Sequence, residues 1–207
     1  MGQKLGRGHT YDCGLPLQKP GVMPTPGWKR ATLGEKWYGG ETIIAGIGQG
    51  YVLTTPLQLA VMTARIATGR EVYPRIARPD ANETLPLPKP RDLDPEHLAI
   101  VREGMWAVGN EGGWTAGRSR LPIAGVQMAG KTGTSQVNTA SSGRRSRDLK
   151  WEQRDHGLFV GYAPADNPQY AVAAIVEHGG GGSVAASPVV RDVMTVLIER
   201  DTAVKPT

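Results

Sequence analysis

The chain from Ala129 onward predicts an α/β protein of the α+β type, an antiparallel sheet with helices on both faces. Three strand candidates lie there, at Ala129–Ser135, Leu158–Ala163 and Tyr170–Val176. The second and third are separated only by Pro164-Ala165-Asp166-Asn167-Pro168, a hairpin-type turn. Connections that short make neighbouring strands antiparallel. Both of these strands are apolar almost throughout and do not alternate, the pattern of strands covered on both faces.

The composition fits a globular domain. The chain has 207 residues, 39% hydrophobic and 21% charged, so it is long enough for a real core. Gly 28 and Pro 16 predict many turns and few long helices. No apolar run reaches the length of a membrane span, and the opening MGQKLGRGHTYD has no signal-like apolar region. The net charge of +5 raises nucleic acid as a partner. Its one basic cluster, Arg144, Arg145, Arg147, Lys150 and Arg154, is diluted by Asp148, Glu152 and Asp155, so a solvated loop is expected and no nucleic acid. Cys13 stands alone, which excludes an internal disulfide and a cysteine-built zinc site.

From the N-terminus, Pro16, Pro20, Pro24 and Pro26 make residues 1–40 irregular, with Trp28, Trp37 and Tyr38 as packing anchors. Thr42 to Ala45 is expected to be a short extended piece. A helix then starts with Thr55 as N-cap and Pro56 at its first position, and stops at Gly69. Its apolar residues fall on several faces, which predicts deep burial. The preceding Gly46, Gly48 and Gly50 are no dinucleotide fingerprint, because Tyr51 stands where a third glycine is needed.

Residues 70–93 read as a proline-rich connector. Asp94-Pro95-Glu96 caps a helix whose inward stripe is Leu98, Val101, Met105 and Val108, with Arg102 off it. Trp114-Thr115-Ala116-Gly117 is a turn leading to the first strand. After the third strand, Gly179 to Gly182 releases the chain into a last helix with Ser187 as N-cap. Val189, Val193, Val196 and Leu197 are expected to face inward, and Arg191, Asp192 and Glu199 outward. The chain thus divides into a loop-rich, helical part over 1–120 and three strands plus a terminal helix over 121–200. It has no internal repeat.

The chemistry concentrates in Ala129-Gly130-Lys131-Thr132-Gly133-Thr134-Ser135. An extended segment there presents one ammonium, two hydroxyls and a glycine that blocks nothing. Such a set suits a small anion, a carboxylate with a developing oxyanion beside it. No serine stands near it with a lysine base. None of the four histidines has metal-ligand spacing, and His156 and His178, flanking strands, read as structural.

Lys131-Thr132-Gly133 on a strand resembles the K-[ST]-G motif of penicillin-binding transpeptidase domains. The stretches LPLQKPGVMPTPGWK, KWYGGETIIAGIGQGYVLTTPLQLA and HGLFVGYAP resemble the class B members, especially the branch that serves cell elongation. GIGQGY followed by TPLQLA is far more specific than the tripeptide, and the likeness runs from about residue 5 to about residue 200. The resemblance implies a β-lactamase/transpeptidase-like fold, of which this chain would be the C-terminal part, in a single domain.

The resemblance further implies a peptidoglycan D,D-transpeptidase. A serine oxygen attacks the carbonyl carbon of the penultimate D-Ala of a stem peptide, the peptide C–N bond breaks, and D-Ala leaves. An amine of a neighbouring stem then takes the acyl group. β-Lactams trap the same serine. Here Lys131 would attract the terminal carboxylate of a D-Ala-D-Ala stem, Thr132 and Thr134 would hydrogen-bond it, and Gly133 would leave the approach open. The Thr134 N–H would be half of an oxyanion hole. No cofactor and no metal are implied. The implied partners are peptidoglycan stem peptides, β-lactams and a membrane glycosyltransferase, at the periplasmic face of the bacterial inner membrane.

One departure stands out. None of Ser119, Ser135, Ser141, Ser142, Ser146, Ser183 and Ser187 has Lys three residues on or Asn two residues on. The family's S-x-x-K and S-x-N motifs are therefore expected on polypeptide that precedes this sequence, and the chain alone is expected to be inactive. The alternative reading is a non-catalytic carboxylate-binding or scaffold remnant of such a domain.

Overall fold

The computed structural model describes residues 1–77, 88–111, 119–137 and 148–204. The turn expected at 114–117 and the arginines at 144, 145 and 147 lie outside the described residues. The chain divides into two compact units. The first takes Met1–Met62 and the described part of Tyr73–Leu85. The second takes Thr63–Val72 and the described part of Pro86–Thr207.

The first unit contains α1 (Pro26–Leu33), α2 (Gly39–Gly46) and the start of α3 (Pro56–Thr68). Two expectations are corrected here. Pro26 does not break a helix but opens one. It occupies the first turn of α1 behind Thr25, whose side chain accepts from Trp28 N, where a missing N–H costs nothing. Residues 42–45 are helical, although their β-branched side chains favour a strand. The Glu41 carboxylate accepts the Tyr38 N–H at 2.7 Å, and Lys29 Nζ meets the same carboxylate at 2.6 Å, so tertiary anchoring overrides propensity. Elsewhere in this unit Gln58 Nε2 donates to the carbonyls of His9 (2.7 Å) and Pro20 (2.8 Å). Thr55 caps α3 as expected, its hydroxyl accepting from Gln58 N at 3.2 Å.

The second unit contains the end of α3, α4 (Pro95–Asn110), β1 (Ala129–Ser135), β2 (His156–Ala163), β3 (Tyr170–Val176), α5 (Gly182–Ala185) and α6 (Ser187–Val204). The sheet order is β1-β2-β3, antiparallel throughout, as the short connections require. β2 is central and nearly all buried, whereas every residue of β3 is half-buried. The expectation that both strands are fully covered therefore holds for β2 and is corrected for β3, an edge strand among the described residues.

The core joins Phe159 and Ala163 of β2 to Val190, Met194 and Ile198 of α6, with Val108 of α4 and Met128. The inward stripe expected for α6 is wrong by one position. Val190 and Met194 are fully buried, while Val189, Val193 and Val196 are exposed. The two stripes have nearly the same helical spacing and the same apolar character, so periodicity does not distinguish them. α4 is also corrected in part: Met105 and Val108 are buried, but Val101 is exposed. Arg102, placed off the stripe, turns inward and donates to Ile66 O at 2.7 Å. It satisfies a carbonyl near the end of α3 that has lost its helical partner.

Candidate functional site

β1 reaches its place through two sets of contacts. On its approach, Asn110 at the end of α4 donates through Nδ2 to Met128 O at 2.9 Å, and Trp106 Nε1 donates to Gln127 Oε1 at 2.9 Å. Arg120 donates to the carbonyls of Gly109 (3.2 Å) and Asn110 (2.8 Å), satisfying the end of α4. Along the strand, Ala129 stands opposite Tyr162, Lys131 opposite Val160, Gly133 opposite Leu158 and Ser135 opposite His156. Two glycines let the layers close. A β-carbon at Gly130 would stand 2.5 Å from Phe159 Cζ and 2.6 Å from Val160 O. One at Gly182, opening α5, would press into Leu158 O and lie 2.5 Å from Gly133 O.

Strand alternation sends Lys131 and Gly133 to one face and Thr132 and Thr134 to the other. The Lys131 side chain is exposed, and its ammonium donates to Thr132 O at 2.8 Å and lies 3.4 Å from Thr132 Oγ1. An ammonium from one face and a hydroxyl from the other meet only across the edge of a strand. β1 is an edge strand among the described residues, and Lys131 has no ion pair among them. The structure thus brings Lys131, Thr132, Gly133 and Thr134 together on one accessible edge. The cation is held by a carbonyl that competes weakly for it. Such an edge can take a carboxylate.

One concave feature belongs to the first unit. A pocket of about 240 Å³ is lined by Trp37, Glu41, Ile44, Ala45, Gln49, Gly50 and Tyr51, and none of the expected site residues lines it. Its one carboxylate is already engaged. The Lys29 ammonium holds the Glu41 carboxyl below its ordinary range, and Glu41 in turn raises Lys29.

In the sequence His156 and His178 stand 22 residues apart. In the structure His156 and His178 lie together, their ring centroids 4.7 Å apart, at the end of the sheet where β1 stops. The cue in the sequence was weak: one histidine opens a strand and the other follows its hairpin partner. No group of His, Cys, Asp and Glu that could hold a metal is present among the described residues, and no helix among them is long and apolar enough to cross a membrane.

Comparison with known proteins identifies the family. The model of the penicillin-binding protein transpeptidase domain matches residues 1–195. The peptidoglycan D,D-transpeptidase MrdA of Acinetobacter baumannii is 40% identical over 200 residues, covering 90% of this chain and 29% of that protein. MrdA of Escherichia coli is 33% identical over 189 residues, 86% of this chain and 30% of that protein. The chain therefore spans less than a third of the length of these relatives.

Among solved structures, Pseudomonas aeruginosa PBP2 in complex with WCK 5153 superimposes with a TM-score of 0.79 at 39% identity, covering 95% of this chain and 42% of that one. Helicobacter pylori PBP2, in its complex with MreC, gives 0.81 at 32% identity, over 96% of this chain and 35% of that one. The mixed helical and antiparallel fold expected from the sequence is the fold of these transpeptidase domains. With the family's description covering nearly all of its residues, the chain belongs to the penicillin-binding protein transpeptidase family.

Proposed function

We propose that this chain is the substrate-carboxylate and oxyanion half of a peptidoglycan D,D-transpeptidase of the elongation type. The observation that supports this best is the exposed Lys131 ammonium on the edge of β1, with Thr132, Gly133 and Thr134 beside it. Lys131 attracts the terminal carboxylate of a D-Ala-D-Ala stem peptide, and the Thr132 and Thr134 hydroxyls donate hydrogen bonds to it. Gly133 leaves the strand edge open to the peptide. The Thr134 N–H stabilises the oxyanion as the penultimate carbonyl becomes tetrahedral, a role in which one donor is worth roughly 3–4 kcal/mol of barrier.

The attacking serine and its lysine base are supplied by polypeptide carrying the S-x-x-K and S-x-N motifs. Stem peptides and β-lactams are the ligands of the assembled site. A partner resembling MreC and a membrane glycosyltransferase are the proteins it works beside, at the periplasmic face of the membrane.

Two measurements on the 207-residue protein test this reading. A fluorescent penicillin leaves no covalent band on it, and a stoichiometric band would show a nucleophile within the chain. Titration with D-alanyl-D-alanine moves the amide resonances of Lys131 to Thr134, and Lys131→Ala weakens that binding about tenfold, the loss of one hydrogen bond to a charged group. Unchanged affinity in Lys131→Ala would remove the carboxylate assignment.

A further inference from the structure

We propose that His156 and His178 form a positioning pair that sets the peptide unit between Gly133 and Thr134. The proposal rests on the reading of that unit as the oxyanion donor. The His178 N–H donates to His156 Nδ1 at 2.9 Å. A ring nitrogen that accepts carries no proton, so His156 holds its proton on Nε2. His178 Nδ1 lies 3.0 Å from Arg154 O, and because a carbonyl only accepts, His178 carries its proton on Nδ1. The Trp151 ring closes on His178 with centroids 4.5 Å apart. Two histidines thus hold opposite tautomers, each fixed by a backbone group.

This network holds a turn that the backbone disfavours. His178 has φ +54, the left-handed region that a side chain with a β-carbon rarely enters. Gly180 N donates to Asp155 O at 2.8 Å, and Asp155 Oδ1 accepts the Val137 N–H at 3.1 Å as the chain leaves β1. The turn feeds directly into Gly182, whose close approach to Gly133 O leaves no room for a β-carbon.

The consequence lies in the geometry of the peptide bond. The Gly133 carbonyl and the Thr134 N–H belong to one planar unit, so whatever fixes the carbonyl aims the N–H. Gly182 packs against that carbonyl, beside its cross-strand partner Leu158, and His156 Nδ1 holds the turn at residue 178 that leads to Gly182. Neither imidazole touches the substrate edge, so both act through the backbone.

The test uses the 207-residue chain labelled with ¹⁵N. Long-range ¹H–¹⁵N spectra of the wild type show His156 as the Nε2–H tautomer and His178 as the Nδ1–H tautomer. A His156 protonated on Nδ1 would overturn the proposal without any variant. His156→Ala shifts the Thr134 amide and weakens D-alanyl-D-alanine binding about fivefold, the worth of one misaimed hydrogen bond. His156→Asn, whose Oδ1 replaces Nδ1 as acceptor, restores both. A Thr134 amide unmoved in His156→Ala, or moved equally in His156→Asn, overturns the pair. If the wild type binds no dipeptide while the Thr134 amide still shifts in His156→Ala and returns in His156→Asn, the pair stands and the carboxylate reading fails. If His156→Ala does not fold, the wild-type tautomers and the Thr134 amide of His156→Asn decide.

Discussion

In the second unit the side chains withdrawn most completely from solvent include Phe159, Val190 and Met194. In the first they are Lys29 and Gln58. The same first unit leaves Ile43, Ile47 and Leu53 largely in solvent, at 72%, 73% and 59% exposure. Apolar burial is non-directional and sums over many contacts, so the sheet unit tolerates small local changes and resists large ones. Ionic and carboxamide anchors are few and directional. Lys29 meets both Glu41 and Glu35, and Gln58 meets two carbonyls, so the first unit takes its geometry from a handful of bonds. The second unit also buries polar side chains, Thr63, Ser119, Ser187 and Arg65, the last donating from Nε and Nη2 to Val72 O.

The largest effect should come from the apolar core. Met194→Ala leaves a cavity under β2 and costs about 3 kcal/mol, read as a fall in the denaturant midpoint at constant slope. A loss below about 1 kcal/mol would mean that α6 is not what closes the sheet.

A second test addresses the polar unit and depends on pH. Glu41 ionises more readily in the folded chain than its ordinary value of 4.5 because Lys29 hydrogen-bonds its charged form. Its contribution is therefore fully present above that value and is lost as pH falls through the depressed folded value. Glu41→Gln should lower the melting temperature at neutral pH and flatten its decline in acid. A variant whose acid profile matches the wild type would remove the ion pair as an anchor.

The smallest effect should come from the exposed residue that caps the C-terminus of α2. Ile47→Ser should change stability by no more than about 0.5 kcal/mol, which calorimetry resolves against Met194→Ala. A cost near that of the core variant would erase the contrast between the units.

Much of the fold was legible where the signal is local. Tyr170–Val176 reads as a strand because an uninterrupted apolar run sits between turn residues, and α3 reads from Thr55-Pro56 to Gly69 because its caps act within one turn. That Lys131, Thr132, Gly133 and Thr134 share one strand was legible for a related reason, since they are contiguous. The helix at Gly39–Gly46 was not, because Lys29, which anchors Glu41, lies twelve residues away.

The sequence by itself determined the antiparallel sheet, the capped helices and the cation-and-hydroxyl edge, since each depends on residues adjacent in the chain. Tertiary structure alone decided which of two equivalent stripes of α6 faces the sheet, whether β3 is covered, and that His156 meets His178. Those outcomes depend on partners brought together across many residues of chain, and periodicity carries no record of which partner a face will meet.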